Sequence, residues 1–312
     1  MLKYLVVLLD DASTSFCHYD CKKNKSYLMP IETLKKGIRF GMMENLMIQF
    51  VYPEESLPAE YNETIETIDH GVLAPVGCPV NADAVVFNDW DSLLNFEFSG
   101  VGTFVVRTEL GPLLEQRNAL FSSLSRMTRI NIVLTDIEKF KEEDFGRYDE
   151  FLSELGDTLK KLFLQGYRIQ CNLLTDRIDL DTMNNCNAGT ESITLAPDGK
   201  LYLCPGFYYY DDEPVGNLDD GINIKNQQLL RLDHAPLCRI CDAFQCKRCI
   251  WLNKKTTLEV NTPSHEQCVV AHLERNQSRR LLAELQGRGL LDKKNEIKEI
   301  SYLDPFDVKE EW

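Results

Sequence analysis

The sequence predicts an α/β protein in which a parallel sheet, open or curved into a partial barrel of six strand-helix units, precedes a small cysteine-rich module and a C-terminal helix. Apolar strand-like runs alternate with helical patterns through about the first 180 residues, and this alternation is typical of a parallel sheet. The alternation stops near Leu180, where the chain becomes rich in cysteine and in loops. With 312 residues, of which 44% are hydrophobic, the chain is long enough to bury a large core.

Six short runs rich in Val, Ile and Phe have the length and composition of strands: 4–9, 46–52, 84–87, 103–106, 130–134 and 168–174. Helical periodicity predicts helices over 30–44, 60–68, 110–126, 142–164 and about 267–290, with a poorer pattern near 91–95. We therefore assign 1–180 to the α/β domain, 181–275 to the cysteine-rich domain, and 276–312 to a C-terminal helix and tail. Functional residues in such sheets lie on the loops that follow the strands.

Charge and hydropathy exclude several classes of protein. The chain has 49 acidic and 34 basic residues, a formal charge of −15, and no basic patch, so we expect neither nucleic-acid nor anionic-membrane binding. The apolar run at the amino terminus is too short to span a membrane and is interpreted as a buried strand. We expect a soluble protein of the reducing cytoplasm, where eleven cysteines indicate metal binding rather than disulfides.

The most informative stretch places Cys238, Cys241, Cys246 and Cys249 within twelve residues, as two C-x2-C pairs. Each pair lets two sulfurs converge on one metal, which predicts a metal site. A disulfide cluster or unrelated buried thiols are the alternatives. Three further cysteines flank this stretch, namely Cys186, Cys204 and Cys268. Pro197-Asp-Gly199 predicts a hairpin turn between 193–195 and 200–203 that presents Cys204 at a strand end.

The loop after the first predicted strand contains a second group of candidate ligands. Cys17 and Cys21 are separated by three residues and stand beside His18 and Asp20. Two thiols alone do not complete a metal site, so these two cysteines are either weak cofactor ligands or ordinary loop thiols.

The order of the C-terminal cysteines, with twelve residues between Cys186 and Gly199 and four between Gly199 and Cys204, resembles the SPASM domain over 186–268. SPASM domains are auxiliary iron-sulfur modules of radical S-adenosylmethionine enzymes. The resemblance implies one four-iron cluster on Cys238, Cys241, Cys246 and Cys268. It implies a second cluster, with one open coordination position, on Cys186, Cys204 and Cys249.

The upstream strands resemble the partial barrel of the same superfamily, whose catalytic cluster uses a C-x3-C-x2-C loop after the first strand. Cys17 and Cys21 match that motif, but Asn24 stands at its third position. The glycine-rich turn that receives the cofactor's methionine part is replaced by Tyr52-Pro-Glu-Glu55. Overall the chain resembles the CXXX repeat peptide maturase family, which implies a role in making ribosomally synthesised, modified peptides.

We consider three functions. The first is a pseudoenzyme-like partner protein that carries one or two [4Fe-4S] clusters and does not cleave S-adenosylmethionine. It binds a precursor peptide with cysteine repeats, a separate radical enzyme in a hetero-oligomer, or both. The second is an active radical enzyme whose catalytic cluster has Cys17, Cys21 and an uncommon third ligand such as Asn24, His18 or a distant cysteine. The third is a scaffold in which the cysteines bind structural zinc.

Overall fold

The computed structural model describes residues 2–21, 26–98, 102–183 and 186–292, and these residues are built on one sheet of eleven strands. The strands are β1 Tyr4–Leu8, β2 Met47–Val51, β3 Gly71–Pro75, β4 Ala84–Phe87, β5 Thr103–Thr108, β6 Arg129–Leu134, β7 Gln170–Cys171, β8 Ser192–Leu195, β9 Lys200–Tyr202, β10 Gly216–Asn217 and β11 Gly221–Ile222. β1 to β7 are adjacent in chain order and parallel. This is the α/β architecture with a parallel sheet that the sequence predicts.

Helices connect the strands and cover the sheet. They are α1 Ile31–Met43, α2 Ala59–Ile65, α3 Trp90–Leu94, α4 Leu110–Glu115, α5 Arg117–Ser123, α6 Glu142–Leu164, α7 Asp176–Asp179, α8 Pro205–Tyr209, α9 Ile250–Thr257 and α10 His265–Gly287. Short 3-10 turns occupy Leu124–Arg126, Ile137–Lys139, Gln227–Leu230, Leu232–His234 and Cys238–Ile240. Within the described part of the chain, none of the helices combines the length and the apolar character needed to cross a membrane.

All six predicted strands are present, and the prediction missed β3. Its five residues begin at Gly71 and end at Pro75, two residue types that weaken a strand pattern, yet it pairs with both β2 and β4. The predicted helix over 110–126 is divided at Gln116, although neither glycine nor proline marks the break. The helix predicted over 142–164 has those bounds in the structure, where Lys141 and Asp144 form a capping box at its start.

The cysteine-rich segment joins the sheet beside β1. β8 pairs in parallel with β1, with Tyr4 opposite Ser192, and β9 to β11 continue the sheet in antiparallel fashion. The predicted hairpin is present as β8 and β9, and Gly199 adopts a φ of +77° in its turn. β9 runs antiparallel to β8, so Cys204, which follows β9, lies towards the end of the sheet at which β1 and β8 begin. The domain boundaries at residues 180 and 275 stay a prediction.

The two faces of the sheet carry different layers. On the outer face, α1 and α2 cover Leu5 and Val7, while α4, α5, α6 and α10 cover the apolar side chains of β5 and β6. On the inner face, Val6 and Leu8 pack against Tyr209 of α8 and Trp251 of α9. The inner face of the sheet therefore packs against the cysteine-rich segment. The predicted tail after residue 292 lies outside the described residues.

Candidate functional site

The loop after β1 is held across the ends of β5 and β6. Arg107 Nε donates to the carbonyl of Cys17 at 2.9 Å, and Arg107 Nη2 donates to the carbonyl of Tyr19 at 2.7 Å. The ring nitrogen Nδ1 of His18 lies 2.9 Å from the carbonyl oxygen of Leu134. These three contacts fix the backbone around Cys17.

The two thiols of this loop have different surroundings. Burial raises the pKa of Cys17 to about 12, and the nearby Cys186 adds to the shift. Cys21 donates a hydrogen bond from Sγ to the carbonyl of Asp11 at 2.8 Å and lies beside Tyr209. The two thiols therefore differ in their hydrogen bonding, although both pack against the same buried aromatic cluster. Asn24, which stands at the third position of the motif, lies outside the described residues.

Cys186, Cys204 and Cys249, which we call the first thiol group, influence one another electrostatically. Burial raises the pKa of Cys249 well above its usual range, and the nearby charges of Cys186 and Cys204 raise it further. Burial raises the pKa of Cys204 in the same way, again followed by Cys186, while the backbone N–H groups of Phe207 and Gly206 oppose the shift. The three residues that the resemblance assigns to one cluster thus lie near each other.

Cys238, Cys241 and Cys246 form a second thiol group in a separate apolar cluster that includes Met183 and Ala235. Burial raises the pKa of Cys238 to about 11 and that of Cys246 to about 12. The sulfur of Cys241 accepts a hydrogen bond from the N–H of Ala243 at 3.4 Å.

Helix α10 provides two further donors near the second thiol group. His272 is buried, with Nε2 lying 3.6 Å from the sulfur of Cys241. Cys268, four residues earlier, lies on the same side of the helix as His272.

Arg248 lies between the two thiol groups. Burial lowers the pKa of its guanidinium, while Cys238, Cys186 and Cys246 oppose that shift. Its guanidinium also donates to the carbonyl of Leu230. A cation in this position stabilises thiolates in both groups.

A buried carboxylate anchors the four-cysteine stretch. Asp242 accepts hydrogen bonds from Arg177 Nη2 at 3.1 Å, from Arg275 Nη1 at 3.2 Å and from Arg279. Arg177 Nε also donates to the Asp242 carbonyl at 2.8 Å. Burial lowers the pKa of Arg177 to about 10, although Asp242 opposes the shift. These bonds tie the stretch to α7 and α10.

A cavity of about 400 Å³ lies on the inner face of the sheet, between β3 to β6, the loop after β1, the four-cysteine stretch and α10. Its walls are largely apolar, and Cys17, Cys186 and Cys249 reach it. Among the described residues, the buried side-chain oxygens Asn131 Oδ1 and Gln245 Oε1, both of which belong to lining residues, have no hydrogen-bond partner. A largely apolar cavity with a few polar groups is typical of a binding site for a small molecule or a peptide side chain.

Glu274 is an ionisable wall residue of this cavity, which the sequence did not single out. Its carboxyl group accepts hydrogen bonds from Tyr148 Oη at 2.8 Å and from Gln245 Nε2 at 3.1 Å. Burial raises its pKa from 4.5 to about 7, and both hydrogen bonds oppose the shift. The carboxyl group therefore changes charge near neutral pH.

Glu274→Gln is expected to remove a pH dependence of stability. Between pH 4.5 and 7 the folded protein binds a proton at Glu274 that the unfolded chain has released. This proton binding adds ~3 kcal/mol to the free energy of unfolding. The added stability is fully present below pH 4.5 and is lost as the pH rises through 7. Urea unfolding from pH 4 to 8 measures it as the difference between wild type and variant. A Tyr148→Phe control, which removes one bond to the carboxylate, shifts the loss to higher pH. Identical pH profiles for wild type and Glu274→Gln would contradict the prediction.

The donor chemistry of both thiol groups fits an iron-sulfur cluster. Such clusters require thiolates from separate segments of the chain and backbone N–H groups that are directed at the sulfurs. The buried hydroxyl of Tyr19 has no hydrogen-bond partner among the described residues and lies near Cys17 and Cys204, where it can donate to a cluster sulfur. Within the described ranges, no three Cys, His, Asp or Glu side chains form a group that could hold a single metal ion. A four-iron cubane spaces its thiolates more widely than one ion does.

Comparison with solved structures identifies the fold. His-tagged anSMEcpe with bound AdoMet has a TM-score of 0.62 at 13% identity, and the match covers 94% of this chain and 97% of that chain. Native anSMEcpe with bound AdoMet and the Cp18Cys peptide has a TM-score of 0.64 at 13% identity, covering 92% and 100%. The chain therefore shares the fold of these AdoMet-bound structures. The fold class predicted from the sequence is confirmed.

SuiB of Streptococcus suis, bound to the precursor peptide SuiA, has a TM-score of only 0.49 at 9% identity, covering 84% of this chain and 75% of that chain. No protein-family model and no curated protein sequence matches the chain. The resemblance to SPASM domains and to CXXX repeat peptide maturases therefore stays a prediction.

Proposed function

We propose that this chain is an accessory protein of peptide maturation that binds iron-sulfur clusters and a cysteine-containing precursor peptide, and that it does not cleave S-adenosylmethionine. A separate radical enzyme, with which it forms a hetero-oligomer, performs the radical chemistry. The observation that carries the proposal is that Cys17 lines the inner-face cavity together with Cys186 and Cys249 of the cysteine-rich segment. The Cys21 thiol instead donates to the Asp11 carbonyl.

A catalytic radical cluster needs three thiolates on the loop after β1 and one iron left open for the cofactor. Here the loop supplies two thiols that differ in their hydrogen bonding. The end of β2, where the family's glycine-rich turn would receive the cofactor, is paired with the same loop. Ser13 bridges to Pro53, and the N–H of Thr14 donates to the carbonyl of Tyr52 at 2.9 Å. These contacts use backbone groups that the cofactor would otherwise need.

Peptide binding is supported by the inner-face cavity. Native anSMEcpe holds the Cp18Cys peptide together with AdoMet. In this chain the cavity has apolar walls and polar groups such as Asn131 and Gln245. We propose that it receives a side chain of the precursor peptide, with Asn131 Oδ1 and Gln245 Oε1 accepting hydrogen bonds from peptide N–H or S–H groups.

The two thiol groups are the proposed cluster ligands. Cys238, Cys241, Cys246 and Cys268 would hold one [4Fe-4S] cluster, and the first thiol group would hold the other. When bound, such clusters supply one-electron transfer. The chain's contribution is to direct backbone N–H groups at the cysteine sulfurs and to place the Arg248 cation between the two groups.

A zinc-binding scaffold is the second candidate, and one contact favours it. His272 Nε2 lies 3.6 Å from the sulfur of Cys241, so His272 would be the fourth donor of a Cys3His set with Cys238, Cys241 and Cys246, which these described side chains are not grouped closely enough to form before zinc binds. This set is common in structural zinc sites. It competes with the four-cysteine set that includes Cys268.

Anaerobic purification followed by metal and sulfide analysis tests the proposal. We expect iron with acid-labile sulfide, no 5'-deoxyadenosine when the reduced protein is incubated with S-adenosylmethionine, and co-purification with the cognate radical enzyme. A radical enzyme assayed in parallel serves as the positive control. Zinc without sulfide would support the scaffold instead, and formation of 5'-deoxyadenosine by this chain alone would refute the accessory role.

Peptide binding is tested separately with a synthetic peptide of CXXX repeats. Fluorescence anisotropy should detect binding to the metal-loaded protein. A peptide in which serine replaces each cysteine is the control, and we expect it to bind at least tenfold more weakly because a hydroxyl is a poorer fit to a largely apolar cavity. Equal affinity for both peptides would contradict recognition of the cysteine side chain.

A further inference from the structure

Cys17, from the amino-terminal part of the chain, is a neighbour of the first thiol group. We infer that Cys17 is the fourth thiolate ligand of the metal cluster held by Cys186, Cys204 and Cys249. The inference rests on the proposed function, because it takes these three residues as cluster ligands. It assigns Cys17 to the auxiliary cluster rather than to a catalytic one.

The geometry brings all four residues to one place. Cys17, Cys186 and Cys249 line the same cavity. Cys17, Cys204 and Cys249, together with Cys21, pack against the same buried aromatic cluster, which includes Tyr19 and Trp251. Cys186 shares the cavity wall with Cys17, and Cys204 shares the aromatic cluster with it. These residues come from separate segments of the chain, and thiolates from separate segments are what a cubane requires.

The backbone around Cys17 is held in this position. Arg107 bonds the carbonyls of Cys17 and Tyr19, and the His18 ring bonds the carbonyl of Leu134. Cys21 differs from Cys17 in that its thiol donates to the Asp11 carbonyl. The bonds of Arg107 and His18 hold the backbone of Cys17 beside the cavity that Cys186 also lines.

A buried donor without a partner lies beside these thiols. The Tyr19 side chain is 2% exposed, its ring stacks on Tyr209 at 5.5 Å, and its hydroxyl has no hydrogen-bond partner among the described residues. Cys17 and Cys204 are its neighbours. A sulfur of the bound cluster would accept the hydrogen bond that this hydroxyl now lacks.

Ligation by Cys17 has two chemical consequences. Binding the metal removes one proton from each of the four thiols, so loading releases four protons to solvent. The resulting cluster has a thiolate on every iron and no open position for a peptide thiol or for S-adenosylmethionine. Its role is electron transfer, or joining the loop after β1 to the cysteine-rich segment, and the peptide is bound by the cavity wall.

The test compares metal content in single-cysteine variants reconstituted under anaerobic conditions. Cys17→Ala should lose about half of the iron and sulfide, as Cys249→Ala does, because one of two clusters is lost. Cys21→Ala and Cys78→Ala are the matched controls and should keep the wild-type content. Equal losses of iron in Cys17→Ala and Cys21→Ala would assign both residues to a catalytic cluster and overturn the inference. A wild-type iron content in Cys17→Ala would also overturn it.

A second variant separates ligation from folding. Cys17→Ser keeps the volume of the side chain and offers an oxygen ligand, so we expect the cluster to form with a shifted electron paramagnetic resonance spectrum. An unchanged spectrum would overturn the inference. If the wild type contains zinc, the same variants are compared by zinc content. Cleavage of S-adenosylmethionine by the wild type would refute the accessory function but not the ligation by Cys17. The metal content of the Cys17, Cys21 and Cys249 variants tests that ligation independently.

Discussion

Asp242→Asn is expected to lower the free energy of unfolding by about 3–5 kcal/mol, because it removes the buried carboxylate that pairs with Arg177 and Arg275. Asp242 and these two arginines are each at most 5% exposed as side chains. The amide that replaces the carboxylate leaves their charges without this counterion in a buried environment. Urea unfolding at pH 7 measures the change.

The same variant should also lose metal from the second thiol group, since Asp242 anchors the stretch that carries Cys238, Cys241 and Cys246. Asp233→Asn is the matched control. Asp233 pairs with Arg231 on the surface, where both side chains are more than half exposed, and its loss should change stability little. Similar effects of the two substitutions would show that the Asp242 cluster does not hold the stretch in place.

Trp251→Ala is expected to cost about 3–5 kcal/mol of stability, because it opens a large cavity between α8 and α9. The indole is 3% exposed and contacts the Tyr210 ring edge-on at 4.8 Å. It lies directly over Gly206, where an added Cβ would come within 2.6 Å of the indole Cγ. α8 and α9 begin directly after Cys204 and Cys249, so iron content should fall together with the unfolding midpoint.

Two further variants test the contact between Trp251 and Gly206. Trp251→Phe retains most of the apolar volume and should have a smaller effect. Gly206→Ala overpacks the same interface and should cost about 1–3 kcal/mol. A full metal complement in Trp251→Ala, despite reduced stability, would show that the packing of α8 on α9 does not position the first thiol group.

Local patterns were sufficient for much of the fold. The runs that became β1, β2, β4, β5 and β6 are rich in apolar residues, as buried parallel strands are, although Gln49 interrupts β2 and Asn131 interrupts β6. The hairpin of β8 and β9 was predictable because Pro197-Asp-Gly199 allows a tight turn with a positive φ at its glycine. β3 was missed because five residues bounded by Gly71 and Pro75 carry no periodicity that distinguishes them from a loop.

The candidate site was predictable in composition but not in arrangement. The spacing of Cys238, Cys241, Cys246 and Cys249 indicates metal at once, because two C-x2-C pairs have few other uses. Arg107 and Glu274 carried no such signal. A single arginine in a strand or a single glutamate on a helix has no sequence pattern, and its role depends on contacts with distant segments, such as the Cys17 carbonyl or the Tyr148 hydroxyl.

The sequence by itself determined the α/β class, the order of the strands along the chain, and the identity of the thiols. Only the tertiary structure decided which thiols lie together. Cys17 from the loop after β1 and Cys186 and Cys249 from the cysteine-rich segment line one cavity, and Arg107 of β5 bonds the Cys17 carbonyl there. Such contacts between distant segments depend on how the chain crosses over and how its strands align. The local spacing of residues contains no information on either.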